Sequence, residues 1–453
     1  MTNVLIAVTH LLGSGHLVRA QHLAQALVDT GFDVTLASGG VPPARRPSTA
    51  YRFVQLPPVR VEGVDFRNLL DDAGVPIGEE RRAQRIAMLE NLARSQRPDV
   101  IITEHFPFGR RQLAAEFLAL IAAVREMNPQ VLVLGSVRDV LVTPKPERIA
   151  EAHRRLDELF DGVLVHGDRS FLPLDASWPV TEGLARKLRY TGYLAAPFNS
   201  SPPGSSGAGN PLPEGEGRVR GRTLDALAET SPLPPLGLRS TGPGAYTSPL
   251  PLSLQERGSQ RSSSDDCDIL VSGGGSGAAL PLFALCLDAA RLMPGRRWHL
   301  LVGRGTAATA FDRLAASAPA NAIIEWARPD FPTLLATSAL SISQAGYNTV
   351  LDLIIAGRPA IVVPFDEGAE TEQTIRARAM EQAGLARCLA LGGEIPLTAA
   401  VLAETCEEAI AAGPPSRPVP IDRDGAAGSV AAIRSFLVER GSSSARRSHE
   451  PSS

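Results

Sequence analysis

Two glycine-rich turns stand between a short apolar run and a helical pattern, an arrangement that suits the binding of anionic ligands. They read Leu12-Gly13-Ser14-Gly15-His16 and Ser272-Gly273-Gly274-Gly275-Ser276-Gly277-Ala278. Glycine lets the backbone approach a ligand closely, and the free N–H groups of the following helix attract a phosphate. Since a purely structural turn rarely needs three consecutive glycines, the second turn predicts a diphosphate-binding loop. The ligand-binding positions predicted in the two turns are Gly13, Gly15, Gly273, Gly274, Gly275, Ser276 and Gly277.

His16 follows the first turn and is the candidate for acid–base chemistry. The turn places it at the carboxyl edge of a predicted parallel sheet, which is where α/β proteins bind their ligands. An imidazole can accept a proton from a substrate at neutral pH, so the sequence predicts His16 as a catalytic general base. A tight turn with a helix-capping histidine is the structural alternative. Further along, Glu104 and His105 end another apolar run, and there a functional role and a packing role are equally open.

A third motif combines small and polar residues between Ser343 and Asp352. A strand pattern, a small-residue turn and a helix pattern follow one another, which puts Asn348 and Asp352 on the same helix face. A carboxylate accepts hydrogen bonds from both hydroxyls of a ribose, although an acid near a helix start also favours the helix dipole. Glu372 and Gln373 follow at the predicted start of another helix, where they bind sugar hydroxyls or cap that helix. The binding positions predicted here are Ala345, Gly346, Asn348, Thr349, Asp352, Glu372 and Gln373.

Binding of a dinucleotide such as NAD is the weaker of the two functions considered for the second glycine turn. Gly273, Gly275 and Ala278 match the spacing of the dinucleotide fingerprint, which expects an acid about 20 residues further on, at the end of the next strand. The next predicted strand instead ends at Val302-Gly303-Arg304-Gly305, and Asp288 falls within the intervening helix pattern.

The elements that position these residues alternate between apolar runs and helical patterns, which is typical of a parallel α/β sheet. The predicted strands are 3–8, 32–37, 99–103, 131–134 and 162–165 in the first half and 268–271, 298–302, 339–343 and 360–363 in the second. Each half opens with a strand, a glycine turn and a helix. The sequence therefore predicts an α/β fold with two similar domains and a ligand-binding cleft between them.

The 453 residues, 44% of them hydrophobic, are enough for two domains with real cores. The predicted limits of these domains are 1–198 and 267–440. Between them, 199–266 is rich in proline, glycine and serine and is predicted to be disordered, as is the serine- and arginine-rich tail 441–453. The net charge of −3 argues against a nucleic-acid partner.

Location and metal binding are predicted from what the sequence lacks. Met1-Thr2-Asn3 carries no positive side chain, the apolar run behind it is too short for a signal core, and no run approaches the roughly 20 apolar residues of a membrane span. The four scattered cysteines form no CxxC pair, and Asp265-Asp266-Cys267-Asp268 is interpreted as a solvated acidic flank. We therefore expect a cytoplasmic protein without a metal site, with peripheral contact to the inner face of a membrane left open.

The C-terminal motifs resemble those of family 28 of the GT-B glycosyltransferases, whose two Rossmann-like domains have a cleft between them. Gly273-Gly274-Gly275-Ser276-Gly277-Ala278 resembles the second glycine loop of that family. The run from Ser343-Gln344-Ala345-Gly346 to Asp352 resembles its Ser-Arg-Ala-Gly segment ending in Glu. The run from Pro364-Phe365 to Glu372-Gln373 resembles its Pro-Phe to Gln-Gln segment. In the N-terminal half only Gly13-Ser14-Gly15-His16 matches.

This resemblance implies the GT-B fold and an inverting glycosyltransferase that needs no metal or other cofactor. A hexose-type sugar would pass from a nucleotide-diphosphate donor, UDP-linked, to an acceptor held by the N-terminal domain, and His16 would assist the acceptor or act as the base. The C-terminal domain would bind the donor. The resemblance assigns the parts of the donor to Gly275, Ser276 and Gly277 (diphosphate or sugar), Asp352 (ribose), Glu372 and Gln373 (sugar hydroxyls) and Arg328 with its neighbours from 326 (base pocket).

The sequence departs from the family pattern at some of the matched positions. Gln344 stands for the family arginine, Asp352 is one carbon shorter than the family glutamate, and Glu372 replaces a glutamine, which leaves a donor sugar other than N-acetylglucosamine open. Two other functions also stay open, a nucleotide-sugar epimerase of the same fold and a non-catalytic nucleotide-sugar-binding protein. The acceptor is open between a lipid-linked molecule and a small molecule.

Overall fold

The computed structural model describes residues 1–11, 15–43, 48–62, 68–142, 145–194, 267–274, 277–365, 371–392, 396–415 and 420–447. These residues form two wholly parallel sheets within one compact unit, and apolar clusters cover both faces of each sheet. The predicted α/β class is confirmed. The segment 199–266, predicted to be disordered, lies outside the described residues.

The first sheet lies in the N-terminal half and has seven strands. The strands are β1 (Asn3–Val8), β2 (Asp33–Ser38), β3 (Arg52–Gln55), β4 (Val100–Glu104), β5 (Leu132–Arg138), β6 (Gly162–His166) and β7 (Leu188–Tyr190). The helices are α1 (Gly15–Asp29), α2 (Glu79–Gln96), α3 (Ala114–Met127), α4 (Pro146–Leu159) and α5 (Glu182–Lys187). The strand order is β3-β2-β1-β4-β5-β6-β7, so the sheet changes its direction of growth between β1 and β4. At such a switch point the carboxyl ends of neighbouring strands open a ligand-binding crevice.

The five inner strands of this sheet are mostly buried apolar runs. In β1 the side chains from Val4 to Val8 are all buried, and Leu17, Leu23 and Leu27 form the buried face of α1. Continuous apolar strands are typical of a parallel sheet that is covered on both faces. The apolar runs of the sequence therefore predict these strands correctly.

The second sheet has six strands. The strands are β8 (Ile269–Ser272), β9 (Trp298–Val302), β10 (Ala322–Trp326), β11 (Leu340–Ser343), β12 (Ala360–Val362) and β13 (Arg387–Cys388). The helices are α6 (Leu280–Leu292), α7 (Ala308–Ala316), α8 (Phe331–Thr337), α9 (Tyr347–Ala356), α10 (Glu372–Gln382) and α11 (Ala399–Ala412). The strand order is β10-β9-β8-β11-β12-β13, so this sheet also has a switch point, between β8 and β11.

The last helix, α12 (Gly425–Arg447), packs against the first sheet and not the second. Ile433 and Phe436 enter the apolar cluster that also contains residues of α1 and β1. The ring of Phe436 lies 2.1 Å from where a Cβ at Gly162 would stand, so this packing requires a glycine there. The sequence predicted that the C-terminal domain extends to residue 440. In the structure, the apolar face of α12 instead belongs to the N-terminal core. The helix also continues into the predicted tail 441–453.

Every predicted strand is present, with ends that shift by a few residues. The strands that the sequence did not predict are β3, β7, β10 and β13, which form the edges of the two sheets. Most of their residues are only half-buried, which weakens the apolar pattern that identifies a strand.

Candidate functional site

A cavity opens at the carboxyl edge of the second sheet, where β8, β9 and β10 end and α9 begins. It encloses about 190 Å³. Its walls are formed by Ser272, Gly274, Leu301, Ala327, Arg328, Phe331, Thr349 and Asp352. Four of these were predicted from three separate parts of the sequence, and the fold brings them together: Gly274, Arg328, Thr349 and Asp352. We call this space the C-terminal cavity.

Asp352 lines the C-terminal cavity with its carboxylate. It lies in the second turn of α9, and within the described part of the chain no hydrogen bond or ion pair holds it. Burial raises the pKa of Asp352 to about 6, because surroundings of low polarity disfavour the charged form. An unpaired, desolvated carboxylate in a cavity wall is free to accept hydrogen bonds from the hydroxyls of a ligand.

Arg328 is the second charged residue of this wall, and it is held in place. Its Nε and Nη2 donate to the two oxygens of Asp330 at 2.9 and 2.6 Å, and its Nη1 donates to Glu325 at 3.3 Å. Bidentate pairing fixes the plane of a guanidinium. Arg328 therefore presents a fixed planar group to the cavity.

The glycine turn between β8 and α6 is described at Gly273, Gly274 and Gly277, whereas Gly275 and Ser276 lie outside the described residues. Gly274 has a φ of +69°, which residues with a side chain rarely adopt. A Cβ at Gly273 would lie 2.1 Å from the Cβ of Ala279 in the short 3₁₀ turn before α6. The turn therefore needs glycine for its own geometry, in addition to the predicted ligand contact.

Gln373 connects the two loops that follow β11 and β12 through hydrogen bonds. Its side-chain oxygen accepts hydrogen bonds from the backbone N–H groups of Ala345 and Phe365, both at 3.1 Å. The oxygen that the prediction assigns to a sugar hydroxyl is thus engaged within the protein. Gly346 is the N-cap of α9, and Asn348 is exposed and is not part of the wall of the C-terminal cavity.

Glu372 lies in a group of ion pairs that joins the two halves of the chain. Its carboxylate pairs with Arg138, at the end of β5, and with Arg376, one turn along α10, at 3.3 Å. Arg376 also donates to both oxygens of Asp139 at 3.1 Å, and the hydroxyl of Tyr193 donates to Asp139 at 3.1 Å. We call these five residues the interdomain cluster. The structure places Glu372 in this cluster and not in the wall of the C-terminal cavity, which differs from its predicted place beside a sugar.

The sequence did not predict the other members of the interdomain cluster. A signal was present, since Arg138 and Asp139 directly follow a predicted strand and Arg376 stands four residues after Glu372, on the same helix face. What the sequence does not show is that Arg376, Asp139 and Glu372 are almost fully buried. Buried charges are paired, so burial is the property that makes the partners predictable.

His16 lies at the carboxyl edge of the first sheet, in the first turn of α1. Its Nδ1 is 2.9 Å from Oε1 of Glu104, the last residue of β4, and Arg19 donates to the same oxygen. β1 and β4 are neighbours in the sheet, which brings together positions 88 residues apart. This contact favours the functional alternative for Glu104. Of the predicted glycines in the first turn, Gly15 begins α1, and Gly13 lies outside the described residues.

The surroundings of His16 keep its imidazole neutral. Burial lowers the pKa of His16 well below its usual 6.5, and the positive charges of Arg110, Arg19 and Arg138 lower it further. The contact with Glu104 orients the ring through one nitrogen. A neutral and oriented imidazole can accept a proton on its other nitrogen.

Arg110 supplies a positive charge beside this histidine. Its Nε donates to the backbone oxygen of Thr9 at 2.7 Å, and its guanidinium forms no ion pair with any residue that the structure describes. Burial lowers the pKa of Arg110 to about 10, which leaves it protonated at neutral pH. The ring of His105 lies 5.2 Å from that of His16, and its buried Nδ1 has no hydrogen-bond partner among the described residues.

Metal ligation and membrane insertion both require particular groupings of side chains. The described ranges contain no group of three or more His, Cys, Asp or Glu side chains arranged to hold a metal ion. None of their helices combines the length and the apolar character that crossing a bilayer requires.

The model of the glycosyltransferase family 28 C-terminal domain matches residues 269–420, which include the whole second sheet and the C-terminal cavity. We call residues 269–420, which are similar to this domain, the family 28 domain. One relative is the UDP-N-acetylglucosamine--N-acetylmuramyl-(pentapeptide) pyrophosphoryl-undecaprenol N-acetylglucosamine transferase of Rhodospirillum centenum. It is 36% identical over 121 residues, which cover 26% of this chain and 32% of the relative. The chain spans about a third of the length of the curated relatives it matches.

Two solved structures extend the likeness over both sheets. MurG of Acinetobacter baumannii superposes with a TM-score of 0.52 at 14% identity, covering 96% of this chain and 100% of that one. The calicheamicin glycosyltransferase CalG4 has a TM-score of 0.51 at 15% identity, covering 98% of this chain and 96% of that one. At such low identity the likeness concerns the fold alone. The predicted GT-B fold is confirmed.

Proposed function

We propose that the protein is an inverting glycosyltransferase that moves a hexose-type sugar from a UDP-linked donor to an acceptor hydroxyl. The observation that carries this proposal is a pair of complementary sites. The family 28 domain has in a cavity wall a carboxylate that no described residue pairs with, and at the edge of the first sheet a glutamate holds a neutral histidine. The carboxylate suits the binding of a nucleotide, and the histidine suits the removal of a proton.

The donor binds in the C-terminal cavity. Asp352 accepts hydrogen bonds from the ribose hydroxyls, and Thr349 and Arg328 line the same wall. The diphosphate lies at the glycine turn, where the N–H groups that open the 3₁₀ turn Gly277–Ala279 and α6 stabilise its negative charge as it leaves. In this mechanism helix N-termini take the place of a cation, so the reaction needs neither a metal nor another cofactor.

Transfer proceeds as a single displacement. The acceptor oxygen attacks C1 of the sugar, the bond from C1 to the nucleotide diphosphate breaks, and the acceptor proton moves to Nε2 of His16. Attack on the face opposite the leaving group inverts the configuration at C1. Glu104 accepts the hydrogen on Nδ1 and stabilises the imidazolium that forms.

The acceptor carries an anionic group, such as the phosphate of a lipid-linked diphosphate. Arg110 supports this part of the proposal, because its charge lies beside His16 without an ion pair among the described residues. The curated relatives are named for a pyrophosphoryl-undecaprenol acceptor. A lipid-linked acceptor would bring a cytoplasmic protein to the inner face of the membrane as a peripheral partner.

A substitution of Arg110 tests the charge of the acceptor. Arg110→Gln raises the acceptor KM at least about tenfold, since a charged hydrogen bond contributes roughly 1.5–3 kcal/mol. Arg111→Gln is the control, because Arg111 is exposed and adjacent in the chain. An unchanged KM for an anionic acceptor in Arg110→Gln would contradict this assignment.

A thermal-shift screen across UDP-, TDP-, GDP- and ADP-sugars tests the donor, because a ligand that binds the folded state raises the melting temperature. We expect UDP-sugars to give the largest shift. A labelled UDP-sugar then separates the three functions. Transfer releases UDP, epimerisation leaves the nucleotide on an altered sugar, and a non-catalytic binding protein returns the donor unchanged. Either of the last two results would refute the proposed transfer.

A further inference from the structure

Behind Glu104, a line of buried polar side chains runs along the edge of the first sheet. The hydroxyl of Ser136 donates to the second oxygen of Glu104 at 2.5 Å. The same hydroxyl oxygen lies 3.0 Å from Nε2 of His166, whose Nδ1 lies 2.9 Å from the hydroxyl of Thr191. Ser136, His166 and Thr191 are 2%, 0% and 1% exposed, so their hydrogen bonds are satisfied within the protein.

The topology of the sheet places these residues side by side. Glu104 ends β4 and is paired in register with Ser136 of β5. His166 ends β6, and Thr191 directly follows β7. Because β4, β5, β6 and β7 are parallel neighbours, their carboxyl ends meet at the edge where His16 also lies.

An ionised Glu104 sets the order of hydrogens between itself, Ser136 and His166. An ionised carboxylate only accepts, so the single hydrogen of Ser136 points to Glu104. The oxygen of Ser136 then accepts the Nε2–H of His166, which leaves Nδ1 without a hydrogen. This bare Nδ1 faces the hydroxyl of Thr191, which also lies 3.1 Å from the backbone oxygen of Gly192 and 3.3 Å from that of Val165. Burial lowers the pKa of His166 to about 3, so the ring is neutral and has a single N–H.

The same rule applies to His16 at the other oxygen of Glu104. The 2.9 Å contact between Nδ1 and Oε1 is favourable when Nδ1 carries the hydrogen, and Nε2 then keeps its lone pair. Nη2 of Arg19 also lies 3.1 Å from Nδ1 of His16. It donates to the same carboxylate oxygen, which accounts for the close approach of all three groups.

We propose that Ser136 and His166 are positioning residues that set the tautomer of the base. They hold the carboxylate of Glu104 so that it accepts the Nδ1–H of His16 and leaves Nε2 to take the acceptor proton. Neither residue touches a substrate. The proposal rests on the proposed role of His16 in transfer, but the order of hydrogens that it describes exists without any ligand.

A residue of the family 28 domain contacts His166, at the end of this line away from His16. The hydroxyl of Tyr347, the first residue of α9, donates to the backbone oxygen of His166 at 3.0 Å and accepts from the N–H of Leu194 at 3.2 Å. The guanidinium of Arg19 lies 5.5 Å from the centre of the Tyr347 ring. Since α9 also carries Asp352, one helix contacts both the proposed nucleotide site and a positioning residue.

NMR of the ligand-free protein reads these tautomers directly. With ¹⁵N-labelled histidine, the ring nitrogens of the eight histidines show which nitrogen is protonated. The variants His16→Gln and His166→Gln assign the two signals. We expect His16 to carry its hydrogen on Nδ1 and His166 on Nε2. An Nε2–H on His16, as would result if Arg19 donated to Nδ1, or an Nδ1–H on His166 would overturn the proposal.

Ser136→Ala tests whether the two histidines are connected. Without the hydroxyl, we expect His166 to change its tautomer and the His16 signal to become a mixture of both forms, whereas Ser136→Thr keeps the wild-type signals. Ser38→Ala is the matched control, since Ser38 is a fully buried serine that ends β2 and its hydroxyl has no partner among the described residues. A folded Ser136→Ala protein with an unchanged His16 tautomer would contradict the proposal, and if that variant does not fold, the wild-type spectrum still decides.

Activity gives a second readout once a donor and an acceptor are in hand. We expect Ser136→Ala to lower kcat about 10- to 100-fold, by analogy with the loss of a hydrogen-bond partner that orients a metal ligand, and to leave the donor KM unchanged. The two proposals fail separately. The predicted tautomers in a protein that binds no nucleotide sugar would refute the proposed function alone, whereas transfer with the opposite tautomers would refute the positioning role alone.

Discussion

The base site on the first sheet and the cavity of the family 28 domain differ in how their polar groups are used. Around His16 the polar side chains bind one another, because both oxygens of Glu104 are engaged, by His16 and Arg19 on one side and by Ser136 on the other. In the cavity wall, Asp352 has no partner among the described residues.

This difference follows from what each site has to do. A group that moves a proton needs a fixed direction, which internal partners provide. A group that binds a ligand must keep its hydrogen-bonding capacity for that ligand, and meanwhile it has an unfavourable, desolvated charge. Substitutions at the first kind of site should reduce the rate or the stability, whereas substitutions at the second kind should reduce affinity and raise stability.

The largest expected effect is at the base. His16→Ala lowers kcat by about 10² to 10⁴, the usual contribution of a general base. It leaves UDP affinity unchanged, because His16 is not part of the wall of the C-terminal cavity. Steady-state kinetics and calorimetry with UDP measure the two quantities. His22→Ala is the control, since His22 lies on the same helix without a contact to Glu104. A full rate in His16→Ala would remove the histidine from the mechanism.

The sequence predicted the cavity better than the base site, for a physical reason. Gly274, Thr349 and Asp352 belong to local motifs in which glycine, a small-residue turn and a helix start adjoin one another along the chain. The partnership of His16 with Glu104 depends on β1 lying next to β4, and no spacing of residues expresses that.

For the fold, too, the sequence predicted the local patterns better than the contacts between distant segments. Central strands such as β1 and β9 are continuous buried runs, and the sequence predicted both with their observed ends. The edge strands β3, β7, β10 and β13 are half-buried, so their apolar pattern did not stand out. The role of α12 was missed because its apolar face does not indicate which of the two sheets it covers.

The next largest effect is expected in the interdomain cluster, which extends the internally paired type of site. Arg376→Met leaves Asp139 and Glu372 buried without this partner, and breaking a buried pair in this way costs about 3–5 kcal/mol of unfolding free energy. Urea unfolding measures it. Arg378→Met, an exposed arginine on the same helix, should change stability by less than about 0.5 kcal/mol.

The opposite result, retained stability with weaker donor binding, would assign a binding role to the interdomain cluster. If Arg376→Met kept the stability of the protein but weakened the binding of the UDP-sugar relative to UDP, Glu372 would be contacting the donor sugar, as the family resemblance implies. The sugar-dependent difference is the decisive quantity, because UDP alone does not carry the sugar that Glu372 would contact.

A smaller effect, of opposite sign on stability, is expected in the C-terminal cavity. Asp352→Ala weakens UDP binding by about 1–3 kcal/mol, the loss of charged hydrogen bonds, and raises the melting temperature of the ligand-free protein because a desolvated charge is removed. Calorimetry and thermal unfolding measure these changes. Asp312→Ala, an exposed acid of the same domain, should change neither. Unchanged UDP affinity in Asp352→Ala would exclude a ribose contact.

The smallest expected effect is a dependence on pH that separates stability from binding at Asp352. Its pKa is about 6 in the folded protein against an ordinary 3.8, so between these values the folded state binds the proton more tightly than the unfolded state. The unfolding free energy contributed by this group therefore rises by about 1 kcal/mol as the pH falls from 7 to 5. UDP affinity falls over the same interval, because a protonated carboxyl accepts fewer hydrogen bonds. Asp352→Asn should remove both changes, and parallel pH profiles of variant and wild type would show that another group titrates.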